Sequence, residues 1–179
     1  SVQREQFRAM VLAHKQNRRV RLGNHIQLIF EDTTTIKYQI QEMLRIEKIF
    51  EAAGIQEELD AYNPLIPDGT NLKCSMLIQY EDVEERKVRL GELIGVEDKI
   101  WLQIGDGEKV WPIADEDLER SNEEKTSAVH FMRYQPSAED VEQAKNGADI
   151  TLGVDHLAYP CDDVTLPAES RAALAADFA

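Results

Sequence analysis

Residues 19–54, RVRLGNHIQLIFEDTTTIKYQIQEMLRIEKIFEAAG, contain the strongest fold signals in the sequence, a hairpin followed by a long amphipathic helix. Two short segments with strand patterning, 19–21 and 25–30, flank the pair Gly23-Asn24. A Gly/Asn pair between two such segments is typical of a two-residue β-hairpin turn. The first half of the stretch therefore predicts two antiparallel strands.

The second half of the stretch predicts a helix near 34–53. Thr33 to Thr35 offer hydroxyl groups that can cap a helix N-terminus, and Gly54 stands where a glycine commonly follows a helix. Between them the apolar residues recur with helical spacing.

Hydrophobic periodicity predicts the remaining elements. We expect helices near 2–17, 55–61, 83–94, 137–145 and 168–178, and strands near 72–80, 99–104, 109–113, 126–134 and 150–156. The strands 99–104 and 109–113 are expected to form a second hairpin. Strands grouped as hairpins predict an α+β fold with a mainly antiparallel sheet of about five or six strands, covered by the long helix.

The same pattern predicts one α+β domain over residues 1–179, with an irregular C-terminal tail and helix at 157–179. The alternative is two loosely joined lobes, residues 1–70 and 71–156. No linker, repeat or low-complexity segment divides the sequence.

The composition is acidic and its charge is unevenly distributed. The chain of 179 residues has a formal net charge of −14. Residues 1–50 contain nine basic and five acidic side chains, whereas residues 51–179 contain 11 and 29. A polyanion repels phosphate groups, so we expect the protein to bind neither nucleic acids nor anionic membrane surfaces.

The sequence also lacks the signals of a membrane or secreted protein. We find no apolar run near the roughly 18 residues that a membrane span requires, and no leader pattern. Cys74 and Cys161 have neither a disulfide-framework nor a metal-finger spacing, which suits two free thiols. We therefore expect a cytoplasmic protein.

Some ionisable residues fall where apolar ones are expected. On a helical wheel of about 100° per residue, Glu47 falls about 20° from Ile36, inside the apolar arc of the long helix, and Gln39 lies in the same arc. His14 lies on the apolar stripe of the first helix. A buried carboxylate must be paired, neutral or metal-bound. Glu47 is thus predicted to form a structural pair with Arg or His, or to act as a ligand or general base.

Two further histidines belong to predicted strands. His130 alternates with Met132 and Tyr134, and His156 ends the last strand next to Asp155. We predict a candidate metal site of Glu47, His130 and His156, supported by His14, Gln39 and Asp155. Iron, zinc or manganese suits imidazole and carboxylate ligands. The site requires strands 126–134 and 150–156 to be neighbours that face the long helix.

Motifs for other chemistry are missing from the sequence. It contains no GxGxxG, phosphate-binding loop or GxSxG motif, so it leaves undecided whether the protein is an enzyme. The leading hypothesis is an accessory or interaction domain with a protein partner or a second copy of itself, and the alternative is a metal-binding or redox-linked enzyme that uses the Glu/His site. The features behind this hypothesis are the stiff loop at 64–67, the basic N-terminal end and a C-terminal helix that looks detachable.

The chain also resembles an uncharacterised bacterial family known only as a domain of unknown function. The resemblance covers about residues 4–160 and depends on four segments, YQIQEMLRIE at 38–47, EELDAYNPLIPDG at 57–69, EKTSAVHF at 124–131 and GVDH at 153–156. Members of the family look like genomic neighbours of rubrerythrin-like and iron–sulfur proteins. The resemblance thus implies a role near iron or oxidative-stress metabolism, and it implies no catalytic residue.

Overall fold

The computed structural model describes residues 2–179. Over this range the chain forms the helices α1 (Val2–Gln16), α2 (Thr33–Ile46), α3 (Ala52–Tyr62), α4 (Val83–Glu92), α5 (Ala138–Lys145) and α6 (Ala168–Ala175). The strands are β1 (Arg19–Leu22), β2 (Ile26–Phe30), β3 (Leu72–Ile78), β4 (Ile100–Ile104), β5 (Ile113–Ala114), β6 (Val129–Tyr134), β7 (Ile150–Val154) and β8 (Val164–Thr165). Short 3-10 turns occur at Asn63–Leu65 and Val96–Asp98.

The main sheet is antiparallel and has five strands in the order β1-β2-β3-β6-β5. Its first two strands form the predicted hairpin, but Leu22 pairs with Ile26, so the turn has three residues, 23–25, and the predicted two-residue turn was wrong. Gly23 adopts a φ of 64° in this turn, which a glycine reaches without a steric cost. β2 pairs with β3, so strands from either side of residue 70 share one sheet. The predicted α+β fold with a mainly antiparallel sheet is confirmed.

A second sheet of three strands, in the order β4-β7-β8, packs against the main sheet. Alternate residues of β3, from Leu72 to Ile78, are buried and meet apolar side chains such as Leu102 and Leu152. The hydrophobic core therefore lies between two sheets, an arrangement that the sequence pattern did not indicate.

The predicted hairpin of 99–104 with 109–113 was largely wrong. β4 pairs with β7, and its contact with the following segment is reduced to a bridge between Leu102 and Val110. Ile113 and Ala114 instead pair with β6. Pro112 has no backbone N–H, so the segment cannot continue the ladder along β4.

The predicted long helix ends seven residues early. Lys48 adopts a φ of 53°, the N–H of Ile49 donates to the Leu44 carbonyl at 2.9 Å, and the N–H of Lys48 donates to the Arg45 carbonyl at 3.3 Å. These two bonds define a Schellman motif, which usually has glycine in place of Lys48. A lysine gives no such signal in the sequence, and the predicted end at Gly54 was therefore wrong.

The helices α1, α2 and α3 form a layer on the other side of the main sheet. α2 packs against both α1 and α3. The ammonium group of Lys73 on β3 donates to the Pro64 carbonyl at 2.6 Å, which places the end of α3 over the outer face of the sheet. Arg4 of α1 forms a bidentate ion pair with Glu42 of α2.

The C-terminal helix is part of the packed structure, so its detachable appearance in the sequence was misleading. Leu174 and Phe178 are buried in the core. The buried guanidinium of Arg18 forms an ion pair with Asp177 and donates to the Phe30 carbonyl at 2.6 Å. Within residues 2–179, no helix is both long and apolar enough to cross a membrane.

Candidate metal centre

His130 is the centre of a buried polar cluster at one end of the main sheet. It lies on the core-facing side of β6, in register with Met76, and its side chain is 0% exposed. Its Nδ1 atom lies 2.6 Å from Oδ2 of Asp115. A histidine held in this way has a fixed ring orientation and presents its Nε2 atom to the other side.

Asp115 reaches His130 because the backbone turns sharply after β5. The residue has a φ of 53°, a left-handed conformation that aspartate tolerates better than most side chains. Its Oδ1 atom accepts from the N–H of Phe131 at 3.0 Å and from Arg120 at 3.1 Å. Both carboxylate oxygens are therefore engaged, and Asp115 acts as a fixed support for His130.

Glu97 approaches from the opposite side of the ring. It belongs to the 3-10 turn Val96–Asp98, which Gly95 introduces with a φ of 85°, and it is buried. The Oε2 atom of Glu97 lies 4.0 Å from Nε2 of His130. Two hydroxyl groups hold the carboxylate, Ser121 at 2.5 Å and Thr126 at 3.1 Å.

Oxygen atoms surround the Nε2 atom of His130. The Thr126 hydroxyl and the Ser127 carbonyl each lie 2.8 Å from it. Ser121 continues this chain of polar contacts, with its hydroxyl 2.8 Å from that of Thr126. The ring nitrogen, the carboxylate of Glu97 and the two hydroxyl groups thus form a compact set of donor atoms.

The cluster forms one wall of an acidic surface cleft of about 670 Å³. Ser121 lines both the cleft and the cluster, so the polar contacts lead from the buried ring to the surface. The carboxylates that line the cleft are Glu97, Asp98, Asp115, Glu116, Glu119 and Glu123, and Arg120 is the cation among them. Burial, and then the negative charges of Glu97 and Asp115, raise the pKa of Asp98. A cation in this cleft would relieve that repulsion.

Glu97, Asp115 and His130 satisfy the elementary geometry of a cation site. One potential ligand atom from each lies within 4.8 Å of those of the other two, and this is the one such group in the described part of the chain. Imidazole together with carboxylate is a donor set suited to iron, zinc and manganese.

The structure separates His130 from the other two predicted ligands. Glu47 is the C-cap residue of α2 and is exposed, so its predicted burial was wrong. The prediction placed Glu47 in the apolar arc of a longer helix, whereas α2 ends at Ile46. His156 follows β7 in the second sheet and contacts the Ile94 carbonyl at 2.9 Å. The strands β6 and β7 belong to different sheets, so the required pairing between them was also wrong.

The predicted supporting residues lie elsewhere too. The Nε2 atom of His14 lies 2.6 Å from Oδ2 of Asp32, so His14 connects α1 to the N-cap residue of α2. Gln39 is half-buried on α2, and Asp155 is exposed after β7. None of the three belongs to the cluster around His130.

Sequence reasoning missed Glu97 and Asp115. Both occur in short irregular segments, where helical and strand periodicity carry no information about burial. The signals available were Gly95, which permits the turn before Glu97, and the run of acidic residues from Asp115 to Glu119. Neither signal shows that these segments meet beside β6.

Comparisons with known proteins identify relatives of unknown function. A family model described as "Protein of unknown function (DUF3501)" matches residues 1–178. A crystal structure of a novel protein of unknown function from Burkholderia pseudomallei is 49% identical, with a TM-score of 0.93, over 98% of this chain and 91% of that chain. No curated protein matches the chain. The match over nearly the whole length confirms the family inferred from the sequence, and the chain belongs to the DUF3501 family of proteins of unknown function.

Proposed function

We propose that this protein is an accessory protein that binds a divalent transition-metal ion between Glu97 and His130. The observation that carries the proposal is the convergence of Glu97, Asp115 and His130 at an acidic cleft. The set of ligands available to such an ion is chemically mixed, with one imidazole, carboxylates and hydroxyl groups.

The distances suit one ion between Glu97 and His130. The Oε2 atom of Glu97 and the Nε2 atom of His130 are 4.0 Å apart. An ion with bonds of about 2.0–2.2 Å can bridge two atoms at that separation. The hydroxyl of Thr126, 2.8 Å from Nε2, either turns aside or becomes a further ligand.

Asp115 has a supporting role in this proposal. A metal-bound histidine commonly donates its second ring N–H to a carboxylate, which fixes the ring and makes the free nitrogen a better ligand. The contact of 2.6 Å between Nδ1 of His130 and Oδ2 of Asp115 has this geometry.

Iron is the ion that we expect in the cell. The family resemblance implies a role near iron or oxidative-stress metabolism, and the imidazole and carboxylate donors suit iron as well as zinc or manganese. Cys74 and Cys161 are free thiols, which suits a reducing compartment such as the cytoplasm. The proposal covers ion binding and leaves open whether the protein catalyses a redox or hydrolytic reaction.

Elemental analysis of the untagged protein tests the proposal. We expect near-stoichiometric metal after reconstitution with Fe²⁺ or Mn²⁺, and a loss of at least tenfold in affinity for Glu97→Gln and His130→Gln. Glu47→Gln is the matched control, because it removes an exposed carboxylate far from the proposed ligands in the sequence and outside their cluster. Less than about a tenth of an ion per chain, unchanged in the three variants, would refute metal binding.

A second candidate function is self-association, favoured by apolar side chains at the end of α2. Ile46 is 60% exposed and Phe50 is 82% exposed. A second copy of this chain is the partner that we propose, since symmetric homodimers are the commonest oligomers. Light scattering should give a dimer mass that Phe50→Ser converts to a monomer mass, whereas a monomeric wild-type protein would refute this candidate.

A further inference from the structure

A second cleft, of about 740 Å³, lies between the turn after β4 and the start of α5. It shares no lining residue with the cleft beside His130. Its carboxylates are Asp106, Glu108, Glu139 and Asp140, and Lys109 is the cation among its lining residues. The cleft is therefore negatively charged and also suits a positively charged ligand.

Asp140 is the unusual member of this group. The residue is 8% exposed and lines the cleft, and its carboxylate has no hydrogen-bond or ion-pair partner among residues 2–179. Its backbone N–H donates to the hydroxyl of Ser137 at 3.1 Å, which is one half of a capping box. The returning bond from the carboxylate, which would complete that motif, is not formed in the described chain.

Gly107 makes room for this carboxylate. A Cβ atom on Gly107 would lie 2.4 Å from Oδ1 of Asp140, so a larger residue would force the carboxylate to move. No fully buried side-chain oxygen or nitrogen atom of the described residues lacks a hydrogen-bond partner, so the unpartnered carboxylate of Asp140 is open to the cleft and to a ligand bound there.

Trp111 provides an aromatic surface in the same cleft. Its side chain is 43% exposed, and the ammonium nitrogen of Lys99 lies 5.9 Å from its ring centroid. Lys109, which also lines the cleft, places its own ammonium 4.4 Å from the ring centroid of Trp101. The two contacts show that ammonium groups reach the indole faces in this region, an interaction that is electrostatically favourable.

We propose that this cleft binds a ligand with a primary ammonium group, which donates to Asp140 and rests against Trp111. An ammonium has three donors for the unpartnered carboxylate, and the surrounding negative charge attracts it. An aromatic ring gives no ligand to a metal ion but does stabilise an organic cation. The ammonium group can come from a free diamine or from a lysine side chain of another protein.

Nuclear magnetic resonance titrations test this proposal, with the Trp111 indole N–H and the Gly107 amide as reporters. The probes are cadaverine, as a free diamine, and Nα-acetyl-lysine methylamide, as a lysine side chain. 1-Pentanol is the neutral comparison, and Mg²⁺ and Ca²⁺ are the inorganic cations. We expect saturable shifts with at least one amine and none with pentanol, and the stronger amine identifies the source.

Two variants connect the binding to the proposed residues. Asp140→Asn keeps the shape of the side chain and should weaken amine binding about tenfold or more. Gly107→Ala should weaken it as well without a change in charge, because its Cβ displaces the carboxylate. Glu142→Gln is the matched control, since it removes an exposed carboxylate from the same helix outside the cleft.

Each remaining outcome would overturn the proposal. Equal amine affinity in Asp140→Asn, equal binding of pentanol, or no shift at about 10 mM amine would each exclude an ammonium site at Asp140. Shifts with Mg²⁺ or Ca²⁺ alone, lost in Asp140→Asn, would make the cleft a metal site instead. Melting temperatures of the variants show whether a loss of binding is a loss of folding.

Discussion

Oδ2 of Asp115 lies 2.6 Å from Nδ1 of His130, and this contact joins a strained turn to the buried face of the interior strand β6. Asp115 has a left-handed backbone, and His130 is fully buried. Backbone strain of this kind costs of order 1–3 kcal/mol and tends to occur at functional sites. The contact orients the imidazole so that its other nitrogen faces Glu97.

Asp115→Asn should weaken both the fold and metal binding. Asparagine tolerates the left-handed backbone, so the substitution removes mainly the charge beside His130 and Arg120. We expect a loss of about 1–3 kcal/mol in the free energy of unfolding and a loss of about 10–100-fold in metal affinity. Urea unfolding and calorimetric metal titration measure these effects.

Asp117→Asn is the control for Asp115→Asn. Asp117 also pairs with Arg120, at 2.6 Å, but it is exposed. An equal loss of metal affinity in Asp117→Asn would show that Arg120, and not His130, mediates the effect.

Arg18→Met should destabilise the docking of α6. The guanidinium is buried and pairs with Asp177 near the C-terminus, so its removal leaves a largely buried carboxylate without its cation. Breaking a buried pair in this way costs about 3–5 kcal/mol. We expect a lower free energy of unfolding and faster proteolysis at 168–179, whereas Arg171→Met, at an exposed pair with Asp149, should change neither.

Lys48→Gly should stabilise the end of α2. The left-handed φ of 53° costs a non-glycine residue about 1–2 kcal/mol. The greater flexibility of glycine in the unfolded chain offsets about 0.5–1 kcal/mol of this, so the expected net gain is about 0.5–1 kcal/mol. Chemical denaturation measures the difference. A destabilised Lys48→Gly protein would contradict the Schellman geometry described for this turn.

The ion pair between α1 and α2 should weaken in acid. Hydrogen bonds from Arg4 and then Arg45 lower the pKa of the Glu42 carboxyl to about 2, from 4.5. A lowered carboxyl pKa stabilises the fold above pH 4.5, and the contribution is lost as the pH falls towards 2. The difference in free energy of unfolding between wild type and Glu42→Gln should therefore be largest above about pH 5 and shrink towards about pH 2. A difference that is constant over this range would contradict the prediction.

The elements that periodicity predicts well are those with one buried face. β3 alternates between buried and partly exposed residues along its whole length, and the hairpin turns at Gly23 as expected, although its turn is one residue longer than predicted. The end of α2 was not predictable, because Lys48 takes a conformation that its side chain does not favour.

The candidate site shows the same division between regular and irregular segments. His130 was found because strand alternation places it with Met132 and Tyr134 on the buried face of β6. Glu97 and Asp115 come from turns, and their approach to His130 depends on tertiary contacts between segments far apart in the sequence. Local patterns contain no information about such contacts.

Anomalous diffraction from crystals of the protein reconstituted with Mn²⁺ tests metal binding most directly. We expect one strong anomalous peak within about 2.0–2.3 Å of Nε2 of His130 and of a Glu97 oxygen, with the Asp115 contact retained on the other side of the ring. No peak at His130, or a peak confined to the surface carboxylates Glu119 and Glu123, would contradict the proposed function.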